Sequence, residues 1–266
     1  MENRYALVTG ASSGIGFEIA KCLASRNYNL LLTARREESL KKAALIIEKD
    51  YGVKADIISC DLQDKSSPKT IYDFCQLKKY PVEILINNAG YAIPTPFDQT
   101  SMEEEEKFIR VLGIAVIALS KLFIKDMLIQ GKGRIMIVSS VAAFAPPSTI
   151  QVLYGPIKTF MNRFAEGLNR NYNHKGITTT SLCPGYTITN FHTASGVQQE
   201  MDRVPSFMKK EAKRVAEEGV QALLKGKPVC IPSKTFKIIV FLLKLLPTSL
   251  FSIMSSRLAP GRYDKR

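Results

Sequence analysis

A tyrosine and a lysine lie four residues apart in the stretch Tyr154-Gly-Pro-Ile-Lys158. Residues at this spacing share one face of a helix, so the phenol and the ammonium would be neighbours. A free tyrosine has a pKa of about 10, and a nearby ammonium favours the phenolate and lowers that pKa. The pair could therefore pass a proton to and from a substrate near neutral pH. The alternative is a tyrosine that only packs against a lysine stem.

The Gly-Pro pair between them limits where the helix can begin. Proline is unfavourable inside a helix but tolerated at its start, where its missing N–H would be unpaired in any case. The sequence therefore predicts a helix over 152–172, with Tyr154 close to its N-terminus.

A glycine-rich turn, TGASSGIG (9–16), follows the first predicted strand. Gly10 would allow a tight exit from the strand. Gly14 and Gly16 would let a diphosphate approach the N-terminus of the next helix, whose N–H groups point at it. A plain glycine-rich turn is the alternative, but the position between a strand and a helix favours dinucleotide binding.

The end of the second predicted strand indicates which dinucleotide would bind. An acid there would accept the ribose 2′-hydroxyl of NAD, but this chain has Arg35 and Arg36. Two guanidinium groups suit the 2′-phosphate of NADP, and Ser12 and Ser13 could add hydroxyl donors. A solvated basic helix start is the alternative. Asp61, just past the third strand, would either bond the adenine amino group or cap a helix.

Short β-branched runs alternate with longer amphipathic stretches over most of the chain. Nearly unbroken apolar strands separated by helices are typical of a parallel sheet covered on both faces, and right-handed crossovers make such a sheet doubly wound. The predicted strands are 5–9, 29–33, 53–59, 82–87, 134–140 and 177–183, and the predicted helices are 14–26, 37–51, 68–79, 102–130 and 152–172.

The composition fits one α/β domain of 266 residues with 45% hydrophobic content. Its five cysteines are scattered and its two histidines isolated, so neither a metal site nor a disulfide framework is expected. The N-terminus lacks the apolar stretch of a signal peptide, and no apolar run is long enough to cross a bilayer. These features predict a cytoplasmic protein.

Five motifs, taken in order, make the chain resemble the short-chain dehydrogenase/reductase family. They fall within residues 4 to about 232 and are TGASSGIG (9–16), NNAG (87–90), IVSS (137–140), YGPIK (154–158) and PGYTIT (184–189). Within the family, the chain is similar to bacterial 3-oxoacyl and hydroxysteroid-type reductases. The resemblance implies a Rossmann fold, an NADP cofactor and the interconversion of a ketone and a secondary alcohol.

The family's roles, carried over motif by motif, give a set of expected site residues. Tyr154 would be the acid/base, Lys158 would hold the nicotinamide ribose and lower the tyrosine pKa, and Ser140 would polarise the substrate carbonyl. NNAG would brace a strand end beside the cofactor, and PGYTIT would border the nicotinamide. The remaining expected cofactor contacts are Gly10, Ser12, Ser13, Gly14, Ile15, Gly16, Arg35, Arg36, Asp61, Asn88, Ala89, Gly90, Pro184, Gly185, Ile188 and Thr189.

Two features depart from the family's pattern. Many relatives carry an asparagine in the long helix that holds a water in a proton relay, and here that place falls near Leu112, which cannot hydrogen-bond a water. The segment from Ser140 to Tyr154 is also one residue longer than usual. Ser139 would take the role of Ser140 if the strand register differs by one residue, and Ser148 is a weaker candidate for that role.

Residues 190–212 fall where the family places its substrate lid. Their apolar side chains would suit an apolar substrate or would simply pack on the core, and they are Phe191, Met201, Val204, Phe207 and Met208. The sequence thus indicates a dinucleotide-binding domain at 1–232, with a helical lid, and a tail at 233–266.

That tail is both apolar and basic. From Lys234 onward it has seven basic residues and one acid, so it carries +6 of the net charge of +13. A helix that is apolar nearly all round must be buried in something. A contact between subunits and peripheral attachment to the inner face of a membrane are both open. The basic residues lack a motif that reads nucleic acid, so no nucleic-acid partner is expected.

The sequence therefore predicts an NADPH-dependent oxidoreductase that acts on a small, apolar carbonyl or alcohol and forms a homo-oligomer. A dinucleotide-sensing or scaffold protein with little activity, built on the same fold, is the alternative function. An extended sugar-nucleotide epimerase would need a larger substrate-binding portion than 266 residues provide.

Overall fold

Strands and helices alternate along the chain in the computed structural model, which describes residues 4–146, 152–189, 202 and 204–245. The strands are β1 (Tyr5–Thr9), β2 (Asn29–Ala34), β3 (Ala55–Ser59), β4 (Val82–Asn87), β5 (Gly133–Val138), β6 (Ile177–Leu182), β7 (Thr187–Ile188), β8 (Lys210–Glu211) and β9 (Val229–Cys230). The helices are α1 (Gly14–Ala24), α2 (Glu37–Tyr51), α3 (Ser67–Leu77), α4 (Met102–Ile109), α5 (Ala115–Gln130), α6 (Tyr154–Tyr172), α7 (Ala212–Leu224) and α8 (Lys234–Leu245).

Seven of the described strands form one parallel sheet in the order β3-β2-β1-β4-β5-β6-β9. The strand order changes direction at β1, whose neighbours are β2 on one side and β4 on the other. In open parallel sheets of this kind, ligands bind at the carboxyl ends of the strands beside such a switch point. The two short strands β7 and β8 pair separately from this sheet.

Both faces of the sheet are covered, because successive side chains of a strand point to opposite faces. Ala6 and Val8 of β1 belong to one buried cluster, and Leu7, between them, belongs to another. Helices α1, α2 and α7 pack in the first cluster, whereas α3, α5 and α6 pack in the second. The predicted α/β doubly wound fold is therefore confirmed.

The predicted helix over 102–130 is wrong in one respect. The structure divides it into α4 and α5, which are joined by a π turn over Arg110–Ile114. In this turn the N–H of Ala115 reaches back to the carbonyl of Arg110. Gly113 lies inside the turn, and glycine has a low helix propensity, so the regular helix is weakest there.

Smaller differences fall at the ends of elements. Strand β5 ends at Val138, two residues before the predicted end, so Ser139 and Ser140 follow the strand. Helix α6 begins at Tyr154 itself. The seventh strand, β9, was not predicted, because two residues are too few to show a pattern. None of the helices in the described ranges is long and apolar enough to cross a membrane.

Candidate active site

The glycine-rich turn between β1 and α1 is shaped by backbone conformations that glycine favours. Gly10 and Gly14 have φ angles of +64° and +60°, in the left-handed region. A Cβ on Gly16 would collide with the carbonyl oxygen of Gly10 and the side-chain amide of Asn88. The turn therefore packs closely against the segment that follows β4, and a side chain at Gly16 would not fit.

The N-terminus of α1 points its backbone N–H groups out of this turn. Ser13 precedes the helix with an extended backbone and makes no side-chain bond to it, and the first turn holds no acid. Ser12 lies beside it, half-buried, and Ile15 packs partly buried on the core. The positive end of the helix, with hydroxyls nearby, suits a diphosphate.

Asn88 fastens the end of β4 to this turn. Its side-chain Nδ2 donates to the carbonyl oxygens of Thr9 (2.9 Å) and Gly10 (3.2 Å). The backbone N–H groups of Asn88 and Ala89 both donate to the Thr9 hydroxyl oxygen, at 2.9 and 3.0 Å. Thr9 is a residue that the sequence analysis missed. Its position directly before the first glycine was the available signal. The next residue, Gly90, is exposed.

The two arginines lie directly after β2, and both are exposed. Neither forms an ion pair with an acid in the described part of the chain. Asp61 is exposed as well, and one of its carboxylate oxygens accepts the backbone N–H of Gln63 at 3.0 Å. Asp61 is not the N-cap of α3, a position that Ser66 occupies.

Tyr154 and Lys158 lie on one face of the first turn of α6, as predicted. The Lys158 Nζ is 5.5 Å from the centre of the Tyr154 ring. It donates to the carbonyl oxygen of Val138 at 2.9 Å, where β5 ends. Pro156 is the third residue of the helix, where its missing N–H has no intrahelical partner to lose. The carbonyl of Val138 is a second contact that sequence reasoning missed, because it belongs to the backbone.

Burial alters the chemistry of Lys158. The side chain is only 7% exposed. Desolvation lowers its pKa from 10.5 to about 8, and the electrostatic effect of nearby Cys183 opposes that shift. The ammonium therefore remains charged at neutral pH but releases its proton far more easily than a surface lysine does.

This burial predicts how stability changes with pH. Below pH 8 both the folded and the unfolded chain hold the Lys158 proton, and folding must bury an ammonium. Above about pH 8 the folded state releases that proton while the unfolded chain keeps it to about pH 10.5, so the penalty disappears. We expect the free energy of unfolding of the wild type to rise by about 3 kcal/mol relative to Lys158→Met between these pH values.

Urea unfolding of the two proteins over this pH range checks the prediction. Other lysines and tyrosines titrate in both proteins, so only the difference between the two curves is informative. Parallel curves would show that Lys158 has an ordinary pKa in the folded chain.

The two serines after β5 have different surroundings. Ser139 is buried, and its hydroxyl donates to the carbonyl oxygen of Lys158 at 3.1 Å. Ser140 is half-buried, and its hydroxyl oxygen accepts the N–H of Ala142 at 3.1 Å, so its own proton can still be donated. The geometry thus favours Ser140 over Ser139. Ser148 lies outside the described residues.

Leu112 lies within the π turn and is 2% exposed. A Cβ on Gly90 would lie 3.7 Å from its side chain. The place of the expected relay asparagine is therefore filled by a buried apolar group beneath the NNAG motif. The side chain of Leu112 has no group that could hydrogen-bond a relay water.

The PGYTIT motif closes the other side of the site. The N–H of Val141 donates to the carbonyl oxygen of Pro184 at 2.9 Å, next to Ser140. A Cβ on Gly14 would lie 3.3 Å from the Thr189 side chain, so the end of the motif reaches the glycine-rich turn.

The middle of this motif faces away from the turn. A Cβ on Gly185 would collide with the ring of Phe236 from α8. Ile188 pairs with β8, and its side chain is 57% exposed. Of the lid residues, Phe191 and Met201 lie outside the described ranges. Val204 and Met208 are buried against Phe236, and Phe207 is exposed.

A small apolar pocket adjoins Tyr154. It is lined by Ile93, Thr95, Phe97, Glu105, Phe108, Val152, Leu153 and Tyr154 itself. Its one carboxylate, Glu105, is 7% exposed and accepts the Thr100 hydroxyl at 2.6 Å. Thr95 and the phenol itself are the other polar side chains of the lining, and the rest are apolar. The described residues include no group of histidine, cysteine and acid side chains that could hold a metal.

Comparison with known proteins identifies the family. The family model for short chain dehydrogenases matches residues 4–200. A very-long-chain 3-oxoacyl-CoA reductase from Anas platyrhynchos is 31% identical over 251 residues, which cover 92% of this chain and 76% of that protein. An inactive hydroxysteroid dehydrogenase-like protein 1 from Homo sapiens is 34% identical over 196 residues, which cover 72% and 58% of the two chains. Both relatives are vertebrate proteins, one named as a 3-oxoacyl-CoA reductase and the other as a hydroxysteroid dehydrogenase-like protein.

Solved structures agree with the sequence relatives. A short-chain dehydrogenase from Sphingobium yanoikuyae in complex with NADPH matches with a TM-score of 0.81 and 26% identity over 95% of each chain. The bulky-bulky ketone specific alcohol dehydrogenase from Comamonas testosteroni matches with a TM-score of 0.78 and 25% identity, over 94% of this chain and 93% of that one. The chain therefore belongs to the short-chain dehydrogenase family.

Proposed function

We propose that this protein is an NADPH-dependent oxidoreductase that interconverts a ketone and a secondary alcohol. The observation that carries the proposal is the placement of the Lys158 ammonium 5.5 Å from the centre of the Tyr154 ring, with Ser140 after the adjoining strand. All three residues lie at the carboxyl edge of the sheet, and the glycine-rich turn lies at the same edge. The Sphingobium yanoikuyae relative was solved with NADPH, which supports the choice of cofactor.

Several features of the chain fit NADP. The glycine-rich turn and the N-terminus of α1 would hold the diphosphate, while Arg35 and Arg36 would bind the 2′-phosphate. Asp61 would accept a bond from the adenine amino group through its second carboxylate oxygen. The NNAG and PGYTIT motifs would flank the nicotinamide ribose and ring. The bound cofactor supplies the hydride that reduces the carbonyl carbon.

The side chains of the site would handle the proton. The Ser140 hydroxyl would donate a hydrogen bond to the carbonyl oxygen and stabilise the negative charge that develops there. Tyr154 would give its phenol proton to the resulting alkoxide. Lys158 would stabilise the phenolate that remains, because a positive charge favours the ionised form of a neighbouring acid.

Apolar side chains near Tyr154 favour an apolar substrate. They include Ile93, Phe97 and Phe108, and the relative from Anas platyrhynchos is named as a very-long-chain 3-oxoacyl-CoA reductase. We therefore propose an aliphatic or steroid-like ketone, or a 3-oxoacyl thioester, as the substrate class. A homo-oligomer is part of the same proposal, and light scattering of the full chain tests it.

The two serines provide a test inside the site. Ser140→Ala is expected to lower kcat by about a hundredfold, because one oxyanion donor is lost. Ser139→Ala is expected to change kcat less than about threefold and to lower the free energy of unfolding by about 1 kcal/mol, since its hydroxyl bonds the Lys158 carbonyl. Steady-state kinetics and urea unfolding of both variants check this. Equal losses of kcat would mean that Ser140 has no special role.

A screen of NADPH consumption across acyl thioesters, steroids and aliphatic ketones tests the function itself. We expect turnover with at least one apolar ketone. The alternative is a dinucleotide-sensing or scaffold protein with little activity. Two observations are the reason to test it: Leu112 is buried where many relatives carry an asparagine, and the human relative is named as inactive. Tight NADPH binding without turnover of any member of the panel would support it.

A further inference from the structure

Helix α8 has two apolar faces. On one face Phe236 and Val240 are 4% and 3% exposed, and Phe236 packs with Val204 and Met208. The other face is uncovered within the described chain. Its side chains are Ile238 (60% exposed), Phe241 (62%), Leu242 (40%) and Leu245 (65%).

The four exposed side chains form one continuous stripe. Residues three, four and seven apart lie above one another on a helix, and these four have that spacing. A contiguous apolar stripe at a protein surface marks a place where another apolar surface binds. The exposure and spacing of these four side chains are what an apolar partner surface would require.

The charge beside the stripe indicates the occupant. Lys234 and Lys237 are both exposed on α8, and the helix contains no acid. The chain from Lys234 to its end carries seven basic residues and one acid. Two copies of α8 packed face to face would bring like charges together, whereas anionic lipid headgroups complement them.

The length of α8 indicates how a membrane would be met. Its 12 residues span roughly 18 Å at the α-helical rise, against a hydrocarbon core of about 30 Å. A helix of this kind lies in the plane of the interface, with its apolar face at the boundary between headgroups and acyl chains.

We propose that α8 docks the protein on the surface of an anionic lipid membrane. Ile238, Phe241, Leu242 and Leu245 enter the boundary with the acyl chains, and Lys234 and Lys237 contact the headgroups. The opposite face of the same helix presses Phe236 against Gly185 of the PGYTIT motif. Docking would therefore hold the PGYTIT border of the site about one helix diameter from the lipid surface.

The absence of tryptophan from the chain makes this proposal easy to test. Phe241→Trp places a single indole in the stripe. Ile129→Trp is the matched reporter, since Ile129 is 85% exposed near the end of α5, at the amino edge of the sheet and away from α8. Full-length variants would be titrated with vesicles of phosphatidylcholine and phosphatidylserine, with brominated lipid as the quencher.

We expect the emission of Phe241→Trp to shift to the blue and to be quenched, while Ile129→Trp stays unchanged. Pairing Phe241→Trp with Lys234→Gln and Lys237→Gln should weaken binding about 25-fold at low salt, or about fivefold for each lysine. Vesicles of phosphatidylcholine alone should bind weakly. Equal binding to both vesicle types would overturn the role of charge.

Three other outcomes would overturn the docking itself. Emission that no vesicle changes means that lipid is not the occupant. A blue shift without lipid that grows with protein concentration means that a second copy covers the stripe. A blue shift without lipid at every concentration means that residues 246–266 of the same chain cover it. None of these readouts depends on reductase activity, so the docking proposal and the proposed function fail separately.

Discussion

Replacing Tyr154 with phenylalanine is expected to lower kcat for ketone reduction by about a thousandfold and to leave NADPH affinity within about threefold. The variant keeps the ring beside Lys158 but removes the only atom of that side chain that can carry a proton. General acid catalysis by a positioned group contributes roughly 10²- to 10⁴-fold, so its loss should dominate the rate. The glycine-rich turn is untouched, which is why binding should persist.

A matched control exists in the same helix. Tyr172 ends α6, and the Lys175 Nζ lies 5.9 Å from the centre of its ring, much as Lys158 lies against Tyr154. Tyr172→Phe therefore repeats the chemical change at the opposite edge of the sheet. Steady-state kinetics and NADPH titration of both variants make the comparison. Undiminished turnover by Tyr154→Phe, or equal losses in both, would contradict the proton-transfer role.

The joint replacement of Arg35 and Arg36 with alanine should have the second-largest effect. We expect NADPH affinity to fall by at least about a hundredfold, because a charge-assisted hydrogen bond contributes roughly 1.5–3 kcal/mol and two guanidinium groups are removed. NADH lacks the 2′-phosphate, so its affinity should change less than about threefold. Calorimetric titration with both dinucleotides measures this change of preference.

Arg170→Ala is the control for the loss of positive charge. Arg170 is 79% exposed near the C-terminal end of α6, at the amino edge of the sheet, and pairs only loosely with Glu166 at 3.4 Å. It should leave both affinities unchanged. Equal loss of NADPH and NADH binding in the double variant would mean that the arginines support the fold of the site rather than the phosphate.

Local sequence patterns predicted six of the seven strands of the main sheet and the closeness of Tyr154 to Lys158. Strand β1 and its glycine-rich turn are adjacent in sequence, and Tyr154 and Lys158 are only four residues apart. Short-range rules on spacing and backbone conformation are therefore enough for them. The doubly wound order followed from apolar strands alternating with helices. In each case the information lies within one or two neighbouring elements.

The remainder depends on contacts between distant segments. The Thr9 hydroxyl organises backbone groups some 80 residues away, and Val138 meets Lys158 through a carbonyl that every residue possesses. The difference between Ser139 and Ser140 depends on where β5 ends. The two faces of α8 likewise depend on tertiary packing, because the sequence of that helix is apolar nearly all round.

The proposed reaction passes a hydride from NADPH to a ketone while Tyr154 supplies the proton. The most direct measurement uses NADPH deuterated at carbon 4 of the nicotinamide, in both stereochemical forms, with the ketone panel and mass spectrometry of the products. We predict that one form transfers its deuterium to an apolar ketone in the wild type and that Tyr154→Phe forms almost no labelled alcohol. A wild-type protein that binds NADPH but labels no product would contradict the account.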